Sequence, residues 1–432
     1  MWAAGGVLLL AYGFIFTDWI ERSYAAVAGA VVMVVIGGAL GFYSQAQAIQ
    51  AVDANTMLLL LGMMILIAMI KPTGGFEYLG IRLVRLSGGS PVLLMLYLGV
   101  TVSVLSTILD NVTTVIIFAP LTVLVTRLMH LNPAPFLIAE AMLSNIGGAA
   151  TLVGDPPNIL IGSAADISFV TFLVNMVPLV VPAWLLTLGL LLAVFRKELV
   201  PSRSEPFHLD LDENQAIRHP QQLKKGLVAL GVVVVLFFVH HWLHYYPALV
   251  ALIGMSLGLL LIRPDPEKLM KEVEWTVLIF FAGLFVMVGG VEASGMLNLV
   301  SAWIADMARD PGAMLITSLA LMWVSALLSA LIGSIPFTIT MIPVVHALAG
   351  QGIGVYPLWW ALAIGVGLGA NGTHIGAMAN VVCLTEAEKS GMREARITPV
   401  RWLKTGVPVV ITGLMMASLS YWLMFTLIGF VE

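Results

Sequence analysis

An eleven-residue pattern occurs twice in this chain, each time inside apolar sequence, and it restricts the folds open to the chain. The first copy runs Gly148-Ala149-Ala150-Thr151-Leu152-Val153-Gly154-Asp155-Pro156-Pro157-Asn158. The second runs Ala370-Asn371-Gly372-Thr373-His374-Ile375-Gly376-Ala377-Met378-Ala379-Asn380. Thr151 and Thr373, Gly154 and Gly376, and Asn158 and Asn380 all align at an offset of 222 residues. Glycine, proline and small polar residues break helices and leave backbone groups unpaired. At membrane depth such a break is tolerated only where protein buries it or it lines a polar cavity.

Composition places the chain in a membrane. Of 432 residues, 60% are hydrophobic and 10% charged, with a mean hydropathy of +1.00. A soluble domain carries about 25% charged residues. Ala25–Phe42, Ile167–Phe195, Tyr245–Ile262 and Gly406–Val431 hold no charge. Each is long enough, or nearly so, to cross a hydrocarbon core of about 30 Å. Ala3–Thr17 has no basic residue before it and no small-residue cleavage site after it, so it reads as a first span. The net charge of −4 makes nucleic acid an implausible partner, and the single cysteine, Cys383, excludes a disulfide framework or a cysteine-built zinc site.

The halves match beyond the pattern. Val102-Ser103 resembles Val324-Ser325, Phe118-Ala119-Pro120 resembles Met341-Ile342-Pro343 at an offset of 223, and Thr56–Ile70 matches Trp275–Val291 in position. One residue inserted near Gly333 accounts for the slip. The longest hydrophilic stretch, Arg196–Lys225, separates the halves and is rich in Lys and Arg, which puts it in the cytoplasm. Arg263–Lys271, Lys389–Lys404 and Lys71–Arg85 are basic too, whereas their counterparts are not: 42–55 against 264–277, 164–168 against 386–404, and 292–310 against 71–85. Opposite sidedness makes the repeats inverted, one of the two repeat classes of secondary transporters, in which paired breaks mark the substrate site.

Pro311–Val345 is free of charge and too long for one crossing, with Gly333, Ser334 and Pro336 at its middle. Pro91–Thr126 has the same shape around Asp110-Asn111. Both read as hairpins that enter and leave on one side. A hairpin plus one broken helix gives the odd number of crossings needed between 71–85 and 164–168, although three full crossings would also do so. Phe76–Leu86 and Leu297–Met307 suit helices lying at the interface. The expected fold is therefore an all-α polytopic membrane protein. Residues 1–200 and 226–432 form two inverted repeats joined by a cytoplasmic linker, 201–225, with roughly ten spanning helices plus two re-entrant hairpins.

Several residues in these segments can carry chemistry. Asp110 in Asp110-Asn111-Val112-Thr113-Thr114 is costly in a membrane, where acids mark pathways or proton relays. It also suits the N-cap of the following helix, and the two roles are compatible. Asp155 and Asn158 offer acceptors and donors at the first break. Asp155 has no acidic counterpart, since Ala377 stands in its place, and His374 replaces Leu152 and adds a second titratable group. Glu140 is expected to pair with Arg127 or His130 at the interface. His240, His241 and His244 lack the glutamate of a His-Glu-x-x-His zinc site, and with Tyr245 and Tyr246 they suit an aromatic belt. No P-loop and no Gly-x-Ser-x-Gly elbow occurs, and no nucleophile–base signature, metal set or cofactor motif suggests an enzyme.

The Asp-Asn-Val-Thr-Thr of 110–114, the Gly-Asp-Pro-Pro-Asn of 154–158 and the Gly-Thr-His-Ile-Gly-Ala-Met-Ala-Asn of 372–380 resemble the ion transporter superfamily. Within it they are most similar to the arsenite/antimonite permease and P-protein branch, over essentially the whole chain. The resemblance implies a central site built from hairpin tips and helix breaks. By match of motif that site uses Asn111, Thr113, Thr151, Asn158, Ser334, Thr338, Asn371, Thr373 and Asn380. The second hairpin departs from the pattern, reading Ile332-Gly333-Ser334-Ile335-Pro336 where many relatives keep an Asn pair. The resemblance also implies a bacterial inner-membrane location, with a soluble arsenite-stimulated ATPase and a second copy of the chain as candidate partners beside membrane lipid.

The motif side chains are amides and hydroxyls, and neither motif region holds Arg or Lys. They favour a small uncharged polyhydroxy solute. Arsenite, mostly As(OH)3 at neutral pH, fits, and a trithiolate arsenic site is excluded by the single cysteine. The expected function is export of arsenite or antimonite in exchange for protons, with Asp110, Asp155 and His374 as coupling groups. A sodium/proton antiporter and a small-anion or dicarboxylate carrier are the alternatives, and a channel is the reading from another class.

Overall fold

A computed structural model describes residues 1–17, 20–200, 213–297, 299, 301, 302, 304, 314–392 and 395–431. Every regular element among them is helical. In the first repeat Trp2–Thr17, Arg22–Ala39 and Ala54–Ile70 cross singly. An amphipathic helix, Gly75–Ser87, precedes a hairpin of Pro91–Ser106 and Asn111–Leu128. A helix broken into Ala134–Gly148 and Pro156–Ala164 follows, then Phe169–Val194. The second repeat runs in the same order: Pro220–Val239, Pro247–Ile262, Trp275–Ala293, the hairpin Met314–Ile332 and Ser334–Gly350, the broken helix Tyr356–Gly369 and Met378–Lys389, and Pro399–Leu423. Each repeat thus crosses five times, counting the broken helix once and the hairpin not at all. An odd number of crossings makes the second repeat enter from the opposite face, which is the inversion that the charge pattern requires.

The boundary differs from the expected one on one side. The helix that opens the second repeat starts at Pro220, ahead of residue 226, because Pro220 suits the first helical turn. Residues 201–212 of the expected linker, and most of the expected interfacial stretch 297–307, lie outside the described residues. Residues 213–219 fold back on the corner after Ile70, where Arg218 and His219 both donate backbone N–H to Thr73 O at 2.9 and 3.2 Å.

Six single-crossing helices form an outer frame. Helix Arg22–Ala39 packs on Trp275–Ala293, and Ala54–Ile70 packs on Pro247–Ile262, so each repeat's third span lies against the other's second. These crossings are close because small residues meet there. A Cβ on Gly283 would stand 2.7 Å from the Ala26 carbonyl carbon, and one on Gly62 would stand 3.0 Å from that of Ala251. Inside the frame each hairpin's second arm packs on the other repeat's broken helix: Asn111–Leu128 on Met378–Lys389, and Ser334–Gly350 on Pro156–Ala164. Helices Phe169–Val194 and Pro399–Leu423 pack together behind them. Helix Ala134–Gly148 is buried along its whole length.

Candidate functional site

The two hairpin tips dock on the two helix breaks in the same way. Asn111 N–H donates to Gly154 O at 3.1 Å, and its counterpart Ser334 N–H donates to Gly376 O at 3.2 Å. The Thr151 hydroxyl donates to Thr107 O at 2.6 Å, and that of Thr373 donates to Ala330 O at 2.5 Å. The Asn158 amide closes the first break by donating to Gly148 O and Thr151 O at 3.2 and 2.8 Å. The Asn380 amide closes the second by donating to Ala370 O and Thr373 O, both at 2.9 Å. These bonds satisfy backbone carbonyls that the interrupted helices leave free. They also require glycine. A Cβ on Gly154 would stand 2.3 Å from Ser106 O, and one on Gly376 would stand 2.5 Å from Ala370 O.

A chain of side-chain amides joins the halves. Asn111 Nδ2 donates to Asp155 Oδ1 at 3.2 Å and to Asn145 Oδ1 at 3.0 Å. Asn145 Nδ2 donates in turn to Asn371 Oδ1 at 2.8 Å and Asn380 Oδ1 at 2.9 Å. All five side chains are buried. Asn111 Oδ1 accepts nothing, which leaves a buried acceptor at the junction. Asn145 was not among the residues expected from sequence. Its signal was present as an amide in a largely apolar helix, but its counterpart in the second repeat is Gly367, so the repeat pattern did not mark it.

The other expected residues are placed as follows. Asp110 caps helix Asn111–Leu128, accepting from Thr113 N at 2.8 Å and from the Thr113 hydroxyl at 2.6 Å, so Asp110 and Thr113 mainly hold each other. Thr338 donates its hydroxyl to Ser334 O at 2.8 Å within the second hairpin. Ser334 is buried at the tip, where Gly333 takes a φ of 100° that only glycine adopts without strain. His374 is half-buried in the second break. Asn371 O also accepts from the Trp402 indole at 3.0 Å, which anchors the second break to Pro399–Leu423.

Charge reaches the site from the frame. Arg22, at the start of helix Arg22–Ala39, directs Nη1 to Met378 Sδ at 3.5 Å. It lines a cavity of about 30 Å³ with Gly333, Ser334, Gly376 and Ala377. The motif regions hold no cation in sequence, yet the fold delivers one to the second tip. On the first side Glu274 stands just ahead of span Trp275–Ala293. Burial, and then the negative charge of Asp110, push its carboxyl up to about 7, which Lys71 partly opposes. Lys71 itself pairs with Glu272 at 2.9 Å. Tyr12 ties the frame to the second hairpin by donating its hydroxyl to Pro336 O at 3.0 Å.

Two expectations outside the motifs are corrected. Arg127 does not pair with Glu140. It donates Nη2 to Ser390 O at 2.7 Å, and both Glu140 carboxyl oxygens are buried without a hydrogen-bond partner. His240 is not a belt residue but a buried clamp. Its Nε2 accepts from Phe169 N at 3.1 Å, and its Nδ1 lies 2.8 Å from Tyr245 O, so the tautomer with the proton on Nδ1 fits both contacts.

Four half-helices therefore begin at the centre, Asn111–Leu128, Pro156–Ala164, Ser334–Gly350 and Met378–Lys389, and four others end there. Inverted repeats with paired breaks at a buried polar junction define a membrane transporter rather than an enzyme. Comparison with known proteins gives the family. Residues 12–365 match the family described as citrate transporter, and the chain belongs to it, within the ion transporter superfamily. The chain is 37% identical to a 46 kDa membrane protein of Mycobacterium leprae, over 96% of this chain and 97% of that one. It is 32% identical to the human P protein over 90% of its own length, which spans 56% of that longer protein. The crystal structure of the YdaH transporter of Alcanivorax borkumensis superposes with a TM-score of 0.56 at 17% identity, covering 86% of this chain and 85% of that one.

Proposed function

We propose that the protein is a proton-coupled secondary carrier of a small carboxylate anion. The observation that carries this reading is that four half-helices begin around one buried amide junction, with Arg22 at the neighbouring second hairpin tip. Helix N-termini carry the positive end of the helix dipole, which favours an anion without a cation in the motif itself. Asn111 Oδ1 and the amide chain add hydrogen-bonding capacity for a hydroxyl or a carboxyl proton. Asp155, which accepts from Asn111, is the coupling carboxyl in this scheme, with Asp110 at the first hairpin tip and His374 in the second break as further titratable groups. The family description makes citrate the first compound to test.

Export of arsenite or antimonite is the second reading. It is favoured by the amide junction itself, where no described Lys or Arg bonds to Asn111, Asn145, Asn371 or Asn380, an environment suited to neutral As(OH)3. In either case we place the protein in the cell inner membrane with residues 196–225 in the cytoplasm, on the basis of the charge distribution.

Uptake into proteoliposomes under an imposed pH gradient tests the reading. Saturable citrate or dicarboxylate flux, accelerated by the gradient and not by sodium, is the expected result. Arsenite flux without carboxylate flux moves the assignment to the second reading. Sodium-driven flux replaces the coupling ion, and a conductance without saturation overturns the carrier.

A further inference from the structure

Glu140 has no role in the scheme above, yet it is the most isolated acid of the molecule's interior. It lies on helix Ala134–Gly148, is 1% exposed, and receives no hydrogen bond at either carboxyl oxygen. Five elements pack on that helix: Pro91–Ser106, Asn111–Leu128, Phe169–Val194, Tyr356–Gly369 and Met378–Lys389. The groups they bring can be named. The Thr122 hydroxyl, itself without a hydrogen-bond partner, is on the packed helix Asn111–Leu128, and Cys383 is buried on the packed helix Met378–Lys389 of the other repeat. Arg127 is turned to Ser390 O, and Glu386 is paired with Lys389 at 2.7 Å. Tyr97 and Tyr356 are the only titratable residues on the helices Pro91–Ser106 and Tyr356–Gly369, and Phe169–Val194 has none. No described cation pairs with Glu140.

Its place is informative. Glu140 is five residues before Asn145, about 7.5 Å along the helix at 1.5 Å per residue. On the facing helix Asn380, Cys383 and Glu386 recur at three-residue spacing, so each neighbours the next on the helix surface. Asn380 meets Asn145, Cys383 is buried further along the same helix, and Glu386 reaches the half-exposed rim. Glu140 thus lies between the amide junction and the half-exposed rim.

We propose that Glu140 is a proton-binding site that serves the carrier, loaded from the rim near Glu386. A carboxylate at this depth with no donor and no cation is far costlier than the neutral acid. The step is balanced: hydronium at the rim gives up a proton, an O–H bond forms on the Glu140 carboxyl, and water is left behind. The occupied state holds a neutral acid beside the substrate junction, and loss of that proton is opposed until a donor or cation approaches.

The service role rests on the proton-coupled reading, so one of two measurements is chosen to be independent of it. Infrared difference spectra of the purified full chain in lipid report the protonated-carboxyl C=O stretch without any substrate. The expected result is a band at neutral pH that Glu140→Gln lacks, Glu140→Asp shifts and Asp155→Asn retains. An unchanged band in Glu140→Gln overturns the site. In proteoliposomes, gradient-driven uptake by Glu140→Gln is expected to fall about tenfold more than substrate counterflow, which moves no net proton. Equal falls in the two, or wild-type gradient-driven uptake, overturn the service role. If Glu140→Gln does not fold, the shifted band of Glu140→Asp still decides the site. A Glu140 band in a chain that moves no carboxylate leaves the site standing and refutes the carrier reading instead.

Discussion

The two half-sites share a backbone and differ in chemistry. Asn111 N–H on Gly154 O is mirrored by Ser334 N–H on Gly376 O, and the threonine and asparagine bonds that close each break are mirrored too. Against that common frame the first half holds Asp110, Asn111 and Asp155, and the second holds Gly333, Ser334 and Ala377. The first half is acidic and hydrogen-bonded from within. The second has no charge of its own and meets Arg22 from the frame. Backbone geometry is what inversion duplicates, because a carbonyl freed at a break needs a partner whatever the side chains are. Side-chain chemistry has no such constraint, so the two halves can differ in charge over the same backbone.

The largest expected effect tests the shared frame. Gly154→Ala and Gly376→Ala both force a Cβ against backbone carbonyls, so both should lower the thermal midpoint and the folded yield, at about 1–3 kcal/mol each if the chain repacks. Size-exclusion profiles that collapse for one glycine and not the other would break the equivalence. Next comes the bridge. Asn145→Ala leaves Asn371 Oδ1 and Asn380 Oδ1 without their donor, a cost of about 1 kcal/mol for each buried group, and should abolish transport. Denaturation and uptake measured together check both parts.

The asymmetry is sharpened by Asp155→Asn. Proton-driven uptake should drop about tenfold while substrate affinity changes little, read as a fall in kcat with KM kept. A wild-type rate across the neutral pH range would transfer coupling to Asp110 or His374. Arg22→Gln should do the opposite, raising KM for an anionic substrate several-fold, about 1 kcal/mol, with kcat kept. A neutral solute would show no such rise.

The smallest effect concerns Glu274. Its carboxyl titrates near 7 instead of the ordinary 4.5, so between those values the folded protein holds a proton that the unfolded chain has lost. Stability contributed by this group is therefore lost as pH rises from 4.5 through about 7. Glu274→Gln should flatten that part of the pH dependence of the thermal midpoint and leave acid-side values unchanged. An identical slope in the variant would exclude Glu274 as its source.

The sequence by itself determined the spans, the two breaks, the inversion and the transporter class, and left hairpins and full crossings both open. Those features are set locally. The length of an apolar run fixes a crossing, Gly154, Pro157, Gly333 and Gly376 fix where helices cannot continue, and the count of Lys and Arg fixes sidedness. Tertiary structure alone decided which polar atoms meet. It gave Asn145 to both halves, although its repeat partner is a glycine. It bound the hydroxyls of Thr151 and Thr373 to backbone carbonyls. It brought Arg22 to a tip more than 300 residues away in the chain and turned Arg127 from Glu140. The physical reason is that a hydrogen bond depends on an approach of about 3 Å between atoms of different helices. Neither periodicity nor hydropathy records which helices will supply them.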